Sequence, residues 1–196
     1  MTSDIEVILV RHGETAANRI HCFAESDEIA LTDEGRGQAE EIAGRLSREF
    51  RPDIVLSSKF ARARQTAEII ARALGLETAV LAGIHERNFG CLRGQPYGRM
   101  GETMRSDPYF DSGRPWEWAP GGGESLEEVR RRVMPALDTL PALYAGKQVV
   151  VVSHGAAIQA VWAHITGDSS EEHRPLNCGV VIVAHDRVGW SISRHT

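Results

Sequence analysis

Two strongly apolar runs in this chain each end close to a histidine that is followed by a glycine. Residues 7–10 lead through one arginine to His12, and the four valines at residues 149–152 lead through one serine to His154. Short β-branched runs of this kind predict buried strands of a parallel sheet. Because ligands bind beyond the carboxyl ends of such strands, we expect both imidazoles to face one crevice, in a geometry that suits chemistry on a phosphate.

The rest of the chain alternates short apolar runs with longer helical stretches, as in βαβ units covered by helices on both faces. Six strands are predicted, over residues 5–10, 53–57, 78–83, 148–153, 179–184 and 189–193. Four helices are predicted, from Thr32 to about Phe50, from about Lys59 to Leu74, from the capping box at Ser125 into the 140s with a kink at Pro135, and directly after His154. A tight connection at residues 186–189 makes the last two strands antiparallel. The predicted fold class is therefore α/β, a three-layer α/β/α sandwich around a mostly parallel six-stranded sheet with one antiparallel strand.

The length of 196 residues and a hydrophobic share of 42% fit one domain with its own core, spanning residues 1–196. The apolar runs are shorter than the roughly 20 residues of a membrane helix, and the first residues do not resemble a signal peptide. Cys22, Cys91 and Cys178 form no Cys-x-x-Cys pair, which indicates reduced thiols and a cytoplasmic location. A net charge of −5 argues against nucleic acid or membrane partners. The oligomeric state, monomer or homodimer, stays open.

Residues 94–123 form one long stretch without a helix or strand pattern. The stretch is rich in glycine, proline and aromatic residues. Long loops in compact domains are commonly functional, so we expect a lid or a wall of the substrate pocket here, with a plain surface insertion as the alternative. Three consecutive arginines, residues 130–132, are interpreted as the solvated face of a helix.

Six short segments, in order along nearly the whole chain, resemble those of the histidine phosphatase superfamily, also called the phosphoglycerate mutase-like family. They are Arg11-His12-Gly13-Glu14-Thr15 with Asn18, Leu31-Thr32 with Gly35, Gln38 and Ala39, Ser57-Ser58-Lys59-Phe60-Ala61-Arg62 with Thr66-Ala67, Glu86 with Phe89-Gly90 and Gly94, Gly123-Glu124-Ser125 with Arg132, and Val152-Ser153-His154-Gly155. A lone Arg-His-Gly could occur by chance, whereas six ordered segments are specific. The resemblance implies a phosphoglycerate mutase-like fold and the phosphatase branch of the family.

Attack on a phosphomonoester requires the phosphate oxygens to be neutralised while a lone pair stays free on the nucleophile. The resemblance implies that His12 is this nucleophile and forms a phosphohistidine. Arg11 and Arg62 supply planar donors that match phosphate geometry, and their charge favours a neutral imidazole. His154 is expected to add a third donor, best as a cation held by the phosphate. The resemblance implies that Glu86 is the acid and base, and a nearby phosphate dianion favours a protonated carboxyl group there.

The candidate substrate-binding residues are Asn18, Gly155, Asn177 and Arg93. Asn18 is expected to bind the phosphate or orient its loop. The resemblance implies that Asn177 holds the His12 loop or the substrate, with a turn-stabilising role as the alternative. Arg93 departs from the family pattern, because many relatives have an acidic residue there. An extra arginine at the pocket rim favours a second anionic group on the substrate, such as a carboxylate or another phosphate. The alternative is that Arg93 faces solvent.

A second departure lies in the first loop, where many relatives carry Gln-Gly and this chain has Phe23-Ala24. Substrate contacts made there are therefore not carried over. The other histidines have no metal-ligand spacing and are interpreted as ordinary, so no metal and no cofactor are expected. These histidines are His21, His85, His164, His173, His185 and His195.

Hydrolysis is favoured over phosphoryl transfer between substrate hydroxyls. A mutase must keep water from its phosphohistidine, and the chain ends soon after its last predicted strand, so residues 94–123 are the one segment expected to close over the site. A cysteine phosphatase is excluded because no cysteine begins a Cys-x5-Arg motif. A non-catalytic phosphate-binding module would lack the nucleophile or the acid. The prediction is a metal-independent phosphomonoesterase acting on a small phosphorylated metabolite, with a phosphoglycerate mutase that uses a bisphosphorylated primer as the alternative.

Overall fold

A six-stranded sheet forms the centre of the computed structural model, which describes residues 4–195. The strands are β1 (Ile5–Arg11), β2 (Ile54–Ser57), β3 (Thr78–Val80), β4 (Gln148–Ser153), β5 (Val180–His185) and β6 (Trp190–His195). Their order across the sheet is β3-β2-β4-β1-β5-β6. β5 pairs antiparallel with both of its neighbours, and the other pairs are parallel. The predicted mostly parallel sheet with one antiparallel strand is confirmed.

Helices cover both faces of this sheet. The α-helices of the described residues are α1 (Ala16–Arg19), α2 (Asp33–Glu49), α3 (Ala61–Leu74), α4 (Arg99–Ser106), α5 (Leu126–Asp138), α6 (Leu140–Leu143) and α7 (Gly155–Thr166). α2 and α3 pack on one face through residues such as Ile42 and Ile70, and α5 and α7 pack on the other through residues such as Leu137 and Ile158. Strands buried on both faces read as continuous apolar runs, which is why they were recognisable. The expected three-layer sandwich is confirmed.

Several boundaries differ from the predicted ones, and the helix predicted from Ser125 into the 140s ends at Asp138, after which Leu140–Leu143 forms the separate helix α6. α3 begins at Ala61 and not at Lys59, because Phe60 has an extended backbone with φ −73° and ψ 140°. β3 ends at Val80 and not at residue 83, and Gly83 adopts a φ of +90°. Among the described residues, no helix combines the length and the apolar character that crossing a membrane requires.

The prediction that residues 94–123 lack regular structure was wrong. The stretch contains α4 and a 3-10 turn at Pro115–Glu117. Met100 and Met104 of α4 pack against a small separate core that contains Phe23 and Trp118. The eight residues of α4 carry two apolar side chains one helical turn apart, which is too weak a pattern to predict a helix from one sequence.

The sheet register delivers the two histidines to one edge. β1 and β4 are adjacent and parallel, with Arg11 opposite Ser153. His12 and His154 are the next residues of the two strands, and their ring centroids are 5.1 Å apart. The turn after β1 packs tightly against the start of α2, since an added Cβ at Gly13 would lie 2.3 Å from a backbone oxygen. The structure thus brings the two imidazoles together at the edge where the sequence predicted a crevice.

Candidate active site

A cavity of about 220 Å³ lies beyond the carboxyl ends of β1 and β2. Six basic side chains line it, and they belong to Arg11, Lys59, Arg62, Arg87, Arg93 and Arg174. Two acidic side chains, Asp27 and Glu86, also line it. Within residues 4–195, no group of three or more His, Cys, Asp or Glu side chains is arranged to hold a metal ion. Because the whole chain is acidic, the positive charge is concentrated in the cavity, which suits a small anion.

His12 lines the cavity and is 3% exposed. Its Nδ1 is 2.8 Å from the carbonyl oxygen of Gly13, so Nδ1 carries the ring proton and donates it. Arg62 donates from Nε to the other ring nitrogen, Nε2, over 3.2 Å. Nε2 is therefore the ring atom with a lone pair, which a nucleophile needs.

The electrostatic environment keeps His12 uncharged. Burial lowers the pKa of His12 well below its ordinary value of 6.5, and the charges of Arg62 and Arg11 lower this pKa further. The hydrogen bond to Gly13 acts in the opposite direction and is a smaller effect. The sequence predicted that arginine charges lower the pKa of His12. Burial, which is the largest cause of the shift, became visible only with the fold.

Arg11 and Arg62 are held around His12 with donors to spare. Arg11 donates from Nη1 to the carbonyl oxygen of Pro175 over 2.9 Å, and its buried Nε has no hydrogen-bond partner within residues 4–195. Arg62 is 3% exposed and places Nη1 at 3.4 Å from the carbonyl oxygen of Ser26. Buried donors of this kind can be satisfied by phosphate oxygens.

His154 is fully buried beside His12 but, unlike His12, is not among the residues that line the cavity. Its Nε2 is 2.6 Å from the hydroxyl oxygen of Ser58, and its Nδ1 has no hydrogen-bond partner in the described part of the chain. Burial lowers the pKa of His154 well below 6.5, and Arg62 lowers it further. The ring is neutral on these grounds, so the cationic form expected from the sequence requires an anion beside it.

Glu86 lines the cavity from the segment between β3 and α5. Its Oε1 accepts hydrogen bonds from the backbone amides of Arg87, over 2.9 Å, and Ala156, over 3.1 Å. Ala156 lies in the first turn of α7, so the carboxylate faces the positive end of a helix dipole. The charge of Glu86 raises the pKa of both Arg11 and Arg62, although burial lowers each of them more. The acid candidate and the arginines thus share one electrostatic site.

Asn18 and Arg93 line the cavity, as expected of substrate-binding residues. The side chain of Asn18 is oriented by its neighbours, because Oδ1 accepts from the amide of Thr15 over 3.2 Å and Nδ2 donates to the hydroxyl of Tyr97 over 3.0 Å. Tyr97 is the residue from the 94–123 stretch that lines the cavity. That stretch therefore contributes to the pocket wall through one aromatic side chain.

Asn177 and Gly155 are not among the residues that line this cavity. Asn177 donates from Nδ2 to the backbone carbonyl of His12 over 3.0 Å, so it holds the His12 loop, one of the roles expected for it. Gly155 begins α7, and an added Cβ there would lie 2.5 Å from Nε of Arg174. Both residues lie behind the cavity wall, and a part for them in binding substrate stays a prediction.

Several residues near the cavity were missed or misjudged. Arg174 lines the cavity, and its charge lowers the pKa of Arg11, yet no motif surrounds it in the sequence. His85, interpreted as ordinary, also lines the cavity, and burial lowers its pKa. The interpretation of Arg132 as part of a solvated face was wrong, since its side chain is 18% exposed and pairs with Glu124 over 2.8 Å. The position of Arg132 after the Gly123-Glu124-Ser125 segment was the sequence signal that could have indicated this buried pair.

An α/β sandwich that gathers a neutral histidine and buried arginines in one anion-binding cavity defines a class of proteins that handle phosphoryl groups. The chain belongs to the histidine phosphatase superfamily (branch 1), whose family model matches residues 7–196. The predicted family and the predicted class of enzyme, a histidine phosphatase, are confirmed by this match.

Relatives of the chain include phosphatases and a mutase. The chain is 38% identical over 194 residues to a metal-independent phosphoserine phosphatase of Arabidopsis thaliana, with 95% of this chain and 79% of that protein covered. It is 30% identical over 197 residues to a phosphoglycerate mutase of Schizosaccharomyces pombe, with 96% and 93% covered. A solved structure of phosphoserine phosphatase from Entamoeba histolytica in complex with 3-phosphoglyceric acid has a TM-score of 0.80 at 25% identity and covers 98% of this chain and 96% of that chain.

Proposed function

We propose that this protein is a metal-independent phosphomonoesterase that hydrolyses a small phosphorylated metabolite through a phosphohistidine on His12. The observation that carries the proposal is the state of His12, a neutral ring whose Nε2 lone pair lies among buried arginines. We also infer a cytoplasmic location, in keeping with the unpaired thiols of Cys22, Cys91 and Cys178.

In the first step, Arg11, Arg62 and Arg174 bind the phosphoryl oxygens, and Nε of Arg62 exchanges its contact with His12 for the phosphate. Nε2 then attacks phosphorus, and the bond from phosphorus to the leaving oxygen breaks. The electron pair stays on that oxygen, which takes a proton from Glu86. Glu86 is left as the carboxylate that the second step uses.

In the second step, water attacks the phosphoryl group and loses a proton to the Glu86 carboxylate. The bond between phosphorus and Nε2 breaks, its electrons return to the ring, and inorganic phosphate leaves. The amides of Arg87 and Ala156 favour the carboxylate that this step needs. One carboxyl group thus serves as acid and then as base.

Phosphoryl transfer between substrate hydroxyls is the alternative, and the mutase among the relatives favours it. A mutase has to exclude water from its phosphohistidine. Of the residues between 94 and 123, Tyr97 lines the cavity, whereas Trp118 and the methionines of α4 pack into their own small core. To close over the site as a lid, the stretch would have to withdraw these side chains from that core. The arrangement therefore supports hydrolysis.

The test is phosphate release from a panel of phosphomonoesters by the wild-type protein and its variants, with a mutase assay on 3-phosphoglycerate primed with 2,3-bisphosphoglycerate alongside. We expect His12→Ala to lose at least roughly 10³-fold in kcat, since the nucleophile is gone. His164→Ala, the same change at an exposed position, should leave kcat unchanged. Interconversion of phosphoglycerates faster than phosphate release would instead establish the mutase, and equal activity of His12→Ala would exclude both mechanisms.

A further inference from the structure

The charge of the cavity exceeds what one phosphate group neutralises. Six basic and two acidic side chains line it, which leaves a surplus of four positive charges while the histidines are neutral. A phosphomonoester supplies roughly two negative charges near pH 7. About half of the surplus is therefore left for another part of the substrate.

The basic residues of the cavity fall into an inner and an outer group. Arg11, Arg62 and Arg174 form the inner group, since the charge of each lowers the pKa of Arg11 or His12. Lys59 is exposed, and the side chain of Arg93 is 41% exposed, so these two residues stand at the mouth of the cavity. The inner group suffices for a phosphoryl group, and the outer group lies where the rest of a substrate would extend.

The loop that contains Asp27 contacts both Arg93 and the chain segment that follows Lys59. Arg93 donates from Nε to the carbonyl oxygen of Glu25 over 3.0 Å, and its Nη2 is 3.5 Å from the carboxylate of Asp27. The carbonyl oxygen of Asp27 accepts from the amide of Ala61, two residues after Lys59, over 3.1 Å. The ion pair of Arg93 is long and exposed, and pairs of this kind contribute little. An incoming anion can therefore replace it.

We propose that Lys59 and Arg93 form a second anion subsite, which selects phosphomonoesters that carry a further carboxylate or phosphate. The proposal rests on the proposed function, because it requires the phosphoryl group to occupy the inner arginines. Arg87, the remaining basic residue of the lining, donates to the carbonyl oxygens of Glu124 and Trp118 over 2.7 and 3.0 Å. Arg87 therefore helps to build the wall.

The test compares 3-phosphoglycerate with glycerol 3-phosphate, which has a hydroxymethyl group in place of the carboxylate. We expect the wild-type kcat/KM to be at least about tenfold higher for the carboxylate, as charge-assisted contacts are the strong ones. The double variant Lys59→Ala/Arg93→Ala should abolish this preference, because it lowers kcat/KM for 3-phosphoglycerate at least about tenfold more than kcat/KM for glycerol 3-phosphate. Arg36→Ala/Arg72→Ala, an equal change of two charges at exposed positions of α2 and α3, should keep the preference. Propane-1,3-diol bisphosphate, as a third substrate, distinguishes a phosphate from a carboxylate.

Equal kcat/KM values for the two wild-type reactions, or a parallel loss on both substrates in the double variant, would overturn the subsite. Calorimetric binding of the same pair to His12→Ala separates this result from failure of the proposed function. If 3-phosphoglycerate binds preferentially but no turnover depends on His12, the subsite is retained and the proposed hydrolysis is rejected. If turnover depends on His12 but shows no preference, hydrolysis is retained and the subsite is rejected.

An independent observation concerns the backbone that carries Glu86. Residues 83–86 lie outside the strands, yet each of their four backbone carbonyl oxygens accepts a hydrogen bond from a side chain. Arg132 donates to those of Gly83, His85 and Glu86 over 2.8, 2.7 and 2.9 Å, and the hydroxyl of Ser153 donates to that of Ile84 over 2.7 Å. The segment is thus fixed by two side chains in place of a strand ladder.

Arg132 is itself fixed by Glu124. Its Nε and Nη2 donate to the two carboxylate oxygens of Glu124 over 2.8 and 2.9 Å. With the three carbonyl contacts, all five N–H groups of the guanidinium are used. A lysine has three donors without this planar fork and cannot reproduce the set. We infer that Arg132 is a positioning residue that sets the place of the Glu86 carboxyl group in the cavity.

The test uses the dependence on the leaving group. An alkyl phosphate needs a proton from Glu86, whereas p-nitrophenyl phosphate releases a phenolate that needs little help. We expect Arg132→Lys to lower kcat/KM for glycerol 3-phosphate at least about tenfold more than for p-nitrophenyl phosphate, in the pattern of Glu86→Gln. Arg131→Ala, at the adjacent exposed position, should lower neither. Glu124→Gln is the second variant, since it keeps the side-chain shape if Arg132→Lys does not fold.

Thermal unfolding of each variant is measured with the kinetics. A stable Arg132→Lys protein that loses activity equally on both esters, or loses none, would show that the arginine only supports the fold.

Discussion

At the scale of single residues, reactivity depends on which nitrogen of His12 is free. Nδ1 donates to the carbonyl oxygen of Gly13, and Nε2 faces the guanidinium of Arg62. Because burial and the charges of three arginines keep the ring neutral, no separate base is needed to activate it. The same hydrogen bond to Gly13 can stabilise the ring when it becomes a phosphoimidazolium.

The tautomer predicts the site of phosphorylation. Quenching a reaction with a phosphomonoester should trap phosphate on Nε2 of His12, because Nδ1 is protonated and occupied. Alkaline hydrolysis and separation of the two phosphohistidine isomers checks this. The Nδ1 isomer, or label that persists in His12→Ala, would contradict the assigned geometry.

At the scale of elements, helix caps connect the fold to the site. Ser125 caps α5 by accepting from the amide of Glu128 over 3.1 Å, and the carboxylate of Glu128 accepts from the amide of Ser125 over 2.7 Å. The cap directly follows Glu124, whose partner Arg132 lies two turns into the same helix. The start of α5 therefore also determines where the Glu124–Arg132 pair stands.

Removing this cap should lower stability measurably. We expect Ser125→Ala to reduce the free energy of unfolding by about 1 kcal/mol, because one amide of the first turn loses its partner. Urea denaturation measures the change. Ser47→Ala, at an exposed position inside α2, serves as the control and should change stability by less than about 0.5 kcal/mol. Equal effects of the two substitutions would contradict the importance of the cap.

At the scale of the whole molecule, buried neutral histidines couple folding to pH. Burial lowers the pKa of His12, His154 and, to a smaller extent, His85 in the folded protein. In the unfolded chain, a histidine has a pKa of about 6.5. Below that pH the unfolded state binds more protons than the folded state, so the free energy of unfolding falls as the pH falls.

The free energy of unfolding is expected to fall by on the order of 2 kcal/mol per pH unit between pH 6 and pH 5. Each proton that binds only to the unfolded chain contributes up to about 1.4 kcal/mol per pH unit. Urea denaturation at pH 7, 6 and 5 measures it, and stability should change little on this account above about pH 7. His12→Ala should reduce the slope by about one proton. An unchanged slope in that variant would mean that His12 is not held in its neutral form.

Much of the architecture was predictable because its signals are local. Apolar runs mark strands buried on both faces, Thr32 and Ser125 mark helix starts, and the shared edge of parallel strands brings His12 and His154 together. Such signals depend on neighbours along the chain, where periodicity and capping chemistry operate. The weak pattern of α4, with Met100 and Met104 as its apolar side chains, marks where that approach fails.

The arrangement of donors within the cavity needed the folded chain. Arg132 reaches the Glu86 carbonyl across 46 positions of sequence, and Asn177 reaches that of His12 across 165. The placement of Arg174 likewise comes from an irregular segment without a motif. The physical reason is that apolar patterning reports which face of an element is buried. The partner of a buried guanidinium or amide is chosen by whichever unsatisfied backbone group the packing brings within hydrogen-bonding distance.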